Sequence, residues 1–127
     1  MARTKTPHLT DAEVRLMDIV WDRRRATVAD VAAALPPETG LAYSTVLTTM
    51  RILEEKGYLS HTKEGRAFVY EPVVERTEAS RGALRYIISR FFGNSPEQLV
   101  LNMLEDEEMT PEELGRLKER IDAAGVR

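Results

Sequence analysis

The sequence predicts a mainly α fold with one small β-hairpin, three helices before the hairpin and three after it. Three observations predict it. Apolar residues recur at helical spacing behind a series of capping signatures, the period changes to two just after Gly57, and helical spacing then returns to the end of the chain. With 127 residues and 43% apolar composition, the chain can bury a core and has the makeup of a soluble domain.

Thr10-Asp11-Ala12-Glu13 opens the first helix as a capping box, its hydroxyl and carboxylate answering backbone N–H groups left open at a helix start. Val14, Met17, Val20 and Trp21 follow at helical spacing. Thr27 and Asp30 repeat the signal for a shorter helix with Val28, Val31, Ala32 and Leu35 on one face, stopped by Pro36-Pro37. After a loop holding Gly40, Ser44 or a neighbour caps a third helix. Its Val46, Thr49, Met50 and Leu53 fall at i, i+3, i+4 and i+7, and Gly57 stands where a C-terminal glycine belongs.

Tyr58-Leu59-Ser60-His61-Thr62 and Arg66-Ala67-Phe68-Val69-Tyr70 are rich in β-formers and separated by Lys63-Glu64-Gly65, a hairpin that Pro72 closes. Helical spacing resumes with Ala79, Leu84, Ile87, Ile88 and Phe91, ending near Gly93-Asn94. Ser95-Pro96 and Thr110-Pro111 each set a capping residue before proline at the first helical position, so two more helices start there. The exit from the hairpin at Glu71-Pro72 divides two lobes, 1–72 and 73–127.

The net charge of −3 hides an uneven distribution. Residues 1–70 carry 10 Lys/Arg against 9 Asp/Glu, and residues 71–127 carry 8 against 12. The acidic excess therefore lies wholly in the second part. The chain has no cysteine, which excludes disulfides, zinc knuckles and a thiol nucleophile and fits a reducing compartment. No apolar run is long enough for a membrane span and the first nine residues lack a signal peptide's apolar run, so a cytoplasmic location is expected.

Three short helices followed at once by a hairpin match a winged helix-turn-helix, whose third helix enters the DNA major groove while the hairpin reaches the backbone beside it. If Val46, Met50 and Leu53 face the core, Ser44, Thr48, Arg51 and Glu55 point outward, flanked by Thr45 and Leu47. Small hydroxyl side chains allow close approach and bond bases or phosphates, Leu47 can meet a thymine methyl, and Arg51 can hold a phosphate or a guanine. Tyr43 can bond a phosphate through its hydroxyl. Lys63 and Arg66 flank the hairpin turn and either clasp phosphates or form ordinary solvated surface. Arg23-Arg24-Arg25 reads as a helix C-terminus matched to the macrodipole rather than as a backbone contact.

Tyr43-Ser44-Thr45-Val46-Leu47-Thr48-Thr49-Met50-Arg51-Ile52-Leu53-Glu54-Glu55-Lys56-Gly57-Tyr58-Leu59, preceded by Leu9-Thr10-Asp11-Ala12-Glu13 and Val20-Trp21, resembles the BlaI/MecI family of penicillinase and methicillin-resistance repressors. Phe68-Val69-Tyr70-Glu71-Pro72 resembles the family's second wing strand, and Leu99-Val100-Leu101-Asn102-Met103 its dimerisation segment. The resemblance implies a homodimeric repressor of inverted-repeat operators on double-stranded DNA. It also implies a membrane-bound sensor protease as partner, with a cut after the asparagine of this last segment, here Asn102-Met103. This chain has Met at the following position, where an aromatic residue is usual. The family's copper-responsive branch carries C-terminal cysteine pairs; their absence here speaks against copper sensing.

The second lobe carries Leu84, Ile88, Phe91, Leu99, Met103, Leu114, Leu117 and Ile121 among other apolar residues, more than three short helices can cover. They bury either against a second copy, the favoured reading, or back onto the winged helix. Catalysis is not expected: His8 and His61 read as isolated, and Glu105-Asp106-Glu107-Glu108 reads as a solvated loop rather than a metal site, so neither metal nor cofactor is called for. The alternative is a winged-helix module that binds protein partners rather than DNA, and it requires that Ser44, Thr48 and Arg51 be replaceable without loss of function.

Overall fold

The computed structural model describes residues 9–125, so His8 and most of the stretch compared with a signal peptide lie outside the described residues. The elements are α1 (Asp11–Arg23), β1 (Ala26–Thr27), α2 (Val28–Ala34), a 3-10 turn (Pro37–Thr39), α3 (Tyr43–Glu55), β2 (Leu59–Glu64), β3 (Ala67–Pro72), α4 (Arg76–Phe91), α5 (Pro96–Glu105) and α6 (Pro111–Ala123). The expected order is present, with β1 added. Two residues leave no period to detect in the sequence, yet Ala26 opposite Tyr70 and Thr27 opposite Val69 complete a sheet in the order β1-β3-β2. The fold is a winged helix.

The capping residues act as their types dictate. Thr10 and Glu13 exchange bonds at the head of α1, Thr27 and Asp30 at α2, and Thr110 and Glu113 at α6, while Ser95 accepts from the Gln98 N–H at α5. α3 is the exception to the expected pattern. It starts at Tyr43, one residue before Ser44, and its N-cap is Ala42, which has no side chain to offer. At the other end Gly57, at φ +91°, ends α3 in a Schellman motif: Gly57 N–H donates to Glu54 O and Tyr58 N–H to Leu53 O.

The first compact unit ends at Tyr86. Its core is built from Leu16, Met17, Val20 and Trp21 of α1, Val28 and Val31 of α2, Val46, Met50 and Leu53 of α3, and Tyr58, Leu59 and Tyr70 around the wing. Val14, which shares the apolar spacing of α1, is 38% exposed, and Leu16 takes the inward place. Glu13 is also buried. Its carboxylate accepts from Lys56 Nζ at 2.8 and 2.9 Å, joining the first turn of α1 to the C-terminus of α3. Burial alone would raise the Glu13 carboxyl, but the Lys56 ammonium and the Thr10 N–H outweigh it and hold it below its ordinary value.

The unit extends past Pro72 because the following segment is tied to α1. The Trp21 indole donates to Val74 O at 2.9 Å, Arg24 forks onto Glu75, and Arg76 bonds Asp18 and Asp22 while lying 5.1 Å from the centre of the Trp21 ring. The division between compact units thus falls within α4 rather than at the hairpin exit.

The second unit starts at Ile87 and contains α5 and α6. No described residue of α5 or α6 is buried. Phe91 is 75% exposed, and Val100, Leu101, Met103, Leu104, Leu117 and Ile121 all present apolar surface; Leu84, in the first unit, does the same.

Candidate nucleic-acid interface

The burial of Val46, Met50 and Leu53 fixes the rotation of α3, and with it the face turned outward. Ser44, Thr45, Thr48 and Arg51 are exposed and Leu47 lies at the margin. Thr49 is half-buried and its hydroxyl donates back to Thr45 O at 2.7 Å, so it serves the helix itself. The hydroxyls of Ser44, Thr45 and Thr48 take no partner among the described residues. The missing cap at Ala42 has a consequence for the same end. The first-turn N–H groups of α3 receive no side-chain acceptor, which leaves a helix start open to a phosphate oxygen.

The wing differs in detail from the expected hairpin. Its strands run on to Glu64 and from Ala67, which pair with each other, so the turn is Gly65-Arg66 and Lys63 sits within β2 opposite Phe68. Gly65, at φ +62°, supplies the positive φ that the first position of this two-residue turn requires. Arg66 is therefore at the tip, and Lys63 is on the flank of the wing.

The cations divide into two sets. Arg24 pairs with Glu75, Arg25 with Glu71 and Glu64, Lys56 with Glu13, and Arg76 with Asp18 and Asp22. Arg25 thus ties the α1–β1 connection to both strands of the wing, and of the arginine triplet Arg23 is the one in the last turn of α1. Arg51, Lys63 and Arg66 have no ion-pair partner among the described residues. An exposed cation without a carboxylate is available to an external anion.

A concavity of about 400 Å³ lies between the starts of α2 and α3 and the wing, lined by Thr27, Tyr43, Leu47, Arg66, Ala67 and Phe68 among others. It brings together Tyr43, Leu47 and Arg66, three residues singled out from the sequence. Thr27 and Phe68 were not expected there. Thr27 was legible only as a helix cap, and Phe68 only as a strand residue.

His61 is not isolated. Its Nδ1 lies 2.7 and 2.9 Å from the two carboxylate oxygens of Glu54, and its ring stacks on Phe68 with centroids 4.2 Å apart. Tyr70 lies tilted beside it at 5.5 Å; burial, reinforced by Glu54, pushes the Tyr70 phenol up.

Asn102 and Met103 are both exposed on α5, and the Asn102 carbonyl accepts from Asp106 N–H at 3.1 Å. The acidic run 105–108 is exposed as well, and no group of three or more metal-ligating side chains occurs among the described residues. Among those residues no helix is long and apolar enough to cross a membrane.

A helical face with open hydroxyls, set beside a hairpin whose cations have no ion-pair partner among the described residues, defines a winged-helix protein of the nucleic-acid-binding kind. The penicillinase repressor family model matches residues 9–123, and the chain belongs to that family. It is 29% identical to the penicillinase repressor of Bacillus licheniformis over 118 residues, covering 93% of this chain and 92% of that one. It is 24% identical to the methicillin resistance regulatory protein MecI of Staphylococcus aureus, covering 90% and 93%. Among solved structures, the DNA-binding domain of the repressor BlaI is similar with a TM-score of 0.52 and 32% identity, covering 59% of this chain and 93% of that domain.

Proposed function

We propose that the chain is a homodimeric transcriptional repressor that binds inverted-repeat operator DNA in the cytoplasm. One observation carries the reading: the outward face of α3 holds Ser44, Thr45, Thr48 and Arg51 without hydrogen-bond or ion-pair partners for their side chains among the described residues, with Lys63 and Arg66 on the wing and Tyr43 at the helix start. In this reading the first turns of α3 meet base edges in the major groove, Tyr43 and the open N–H groups take phosphates, and Lys63 and Arg66 take the neighbouring backbone.

Dimerisation rests on the apolar surface that the second unit leaves uncovered. Phe91, Val100, Leu101, Met103, Leu104, Leu117 and Ile121 are too many exposed apolar side chains for so small a unit, and a second copy related by a two-fold axis would cover them. Ile88, Leu99 and Leu114 are half-buried and belong to the same surface. Leu84, on the part of α4 that belongs to the first unit, is exposed as well and is a further candidate for contact with a second copy.

Release follows the family's pattern, in which a membrane-bound sensor protease cuts the bond Asn102-Met103. The bond sits in the last turn of α5, so the helix must open there before a protease can bind it in extended form. A cut would separate Met103, Leu104, Leu114, Leu117 and Ile121 from the rest of the dimer surface. The two DNA-binding units would then lose the gain of roughly 10² to 10⁴ that linkage gives to paired weak sites.

Gel shifts with the full chain at two salt concentrations test the reading, using a duplex from the DNA upstream of its own gene and a scrambled duplex of equal composition. Preference for the upstream duplex is expected. Equal affinity for both, unchanged by replacing Ser44, Thr48 and Arg51, favours a module that binds protein instead.

A further inference from the structure

Glu54, His61 and Phe68, touching in series, link the last turn of α3 to the wing outside the buried core. His61 is the third residue of β2, opposite Tyr70; Lys63 follows on the same face of the hairpin, opposite Phe68. Glu54 is in the last turn of α3. One ring therefore bonds the helix through Nδ1 and stacks on the wing through its face, at 2.7 Å and 4.2 Å respectively. Phe68 is 40% exposed and forms part of the wall of the concavity that Arg66 and Tyr43 also line. Beyond Val69, where pairing with β1 ends, the wing is a two-stranded ribbon, which bends and twists readily, so the angle at which its tip stands depends on side chains.

We infer that His61 and Glu54 are positioning residues for DNA binding: their bond, with the His61 ring stacked on Phe68, sets the wing at the distance from α3 at which Lys63 and Arg66 reach the phosphate backbone while the helix occupies the groove. The inference rests on the DNA-binding reading. His61 and Glu54 touch no DNA themselves and act through the hairpin. Bonding to a carboxylate requires a proton on Nδ1, so the arrangement holds with the imidazole either neutral or charged.

The test measures the salt dependence of binding by the full chain to the upstream and scrambled duplexes. In the wild type, the double substitution Lys63→Ala with Arg66→Ala is expected to lower the slope of log affinity against log salt by about two, one for each phosphate that no longer meets a cation. In His61→Ala the slope is expected to be already low, and adding the double substitution should change it little. Glu54→Leu should behave like His61→Ala, whereas Glu54→Gln, which keeps an acceptor for Nδ1, should retain the wild-type slope. His61→Phe keeps the stacking without the bond; should His61→Ala fail to fold, it gives the same reading. If the Lys63 and Arg66 substitutions lower the slope by the same amount with and without His61, the inference is overturned and the DNA-binding reading stands. If the wild type binds neither duplex, the DNA-binding reading itself fails.

Discussion

Replacing Lys56 removes the cation that holds the buried Glu13. The Glu13 side chain is 7% exposed and that of Lys56 20%, so the carboxylate depends on its partners while the ammonium still reaches water. With Lys56→Met, Glu13 loses its charged partner and keeps its capping bond from the Thr10 N–H. Removing one partner of a buried pair costs roughly 3–5 kcal/mol, and the partial exposure of Lys56 puts this case near the lower figure, about 3 kcal/mol. For a unit of this size each kcal/mol lowers the midpoint by about 4–8 °C, so a fall of about 12–24 °C is expected. Adding Glu13→Gln removes the stranded charge but keeps an acceptor for Thr10, and should restore about half of the loss. Thermal and urea unfolding followed by circular dichroism at neutral pH give all four corners of the cycle. Lys56→Met within about 0.5 kcal/mol of the wild type, or strictly additive effects of the two changes, would refute the reasoning.

Other outcomes follow from the same geometry. Arg51→Ala and Thr48→Ala should each weaken binding to the preferred duplex by roughly 1–3 kcal/mol if they contact bases, read by fluorescence anisotropy, with little change on scrambled DNA. A fragment ending at Tyr86 should be monomeric by sedimentation and clearly more stable to urea than one ending at Pro72, because the shorter piece lacks the Trp21–Val74 bond and the Arg24–Glu75 and Arg76–Asp18 ion pairs. Full-length Leu101→Glu should shift the dimer towards monomer in sedimentation without changing the helix content. Acid should destabilise the first unit through Glu13. A carboxyl whose value is lowered on folding contributes fully above its ordinary value of 4.5, and that contribution fades as pH falls through the lower folded value. The Glu13→Gln variant should therefore lose less stability than the wild type as pH falls below 4.5, measured by urea unfolding.

The parts of the fold that the sequence revealed are those whose cause is local. The capping boxes at Thr10, Thr27 and Thr110 and the inward Val46, Met50 and Leu53 each involve residues within a turn or two of one another. Because those three fix the rotation of α3, the outward face of the candidate site was legible as well. What escaped depends on interactions across the chain. Glu13 reads as a capping residue, and nothing near it announces Lys56, 43 positions on. β1 is too short to show a period, and His61 looks isolated until the hairpin folds it against Glu54. The hairpin turn is displaced from where the sequence suggests because Lys63 and Glu64 are weak strand formers that only pairing recruits. The segment after Pro72 joins the first unit through Trp21 and Arg24, residues that α1 and its C-cap supply from far upstream.

The most direct test of the central claim is a footprint of the purified full chain on the DNA upstream of its own gene. A homodimeric repressor of an inverted repeat should protect two half-sites related by a dyad, their centres about one helical turn of 10–10.5 base pairs apart or a multiple of it, protected together over one range of concentration. Protection of a single site, or none at concentrations where scrambled DNA is bound equally well, would contradict it.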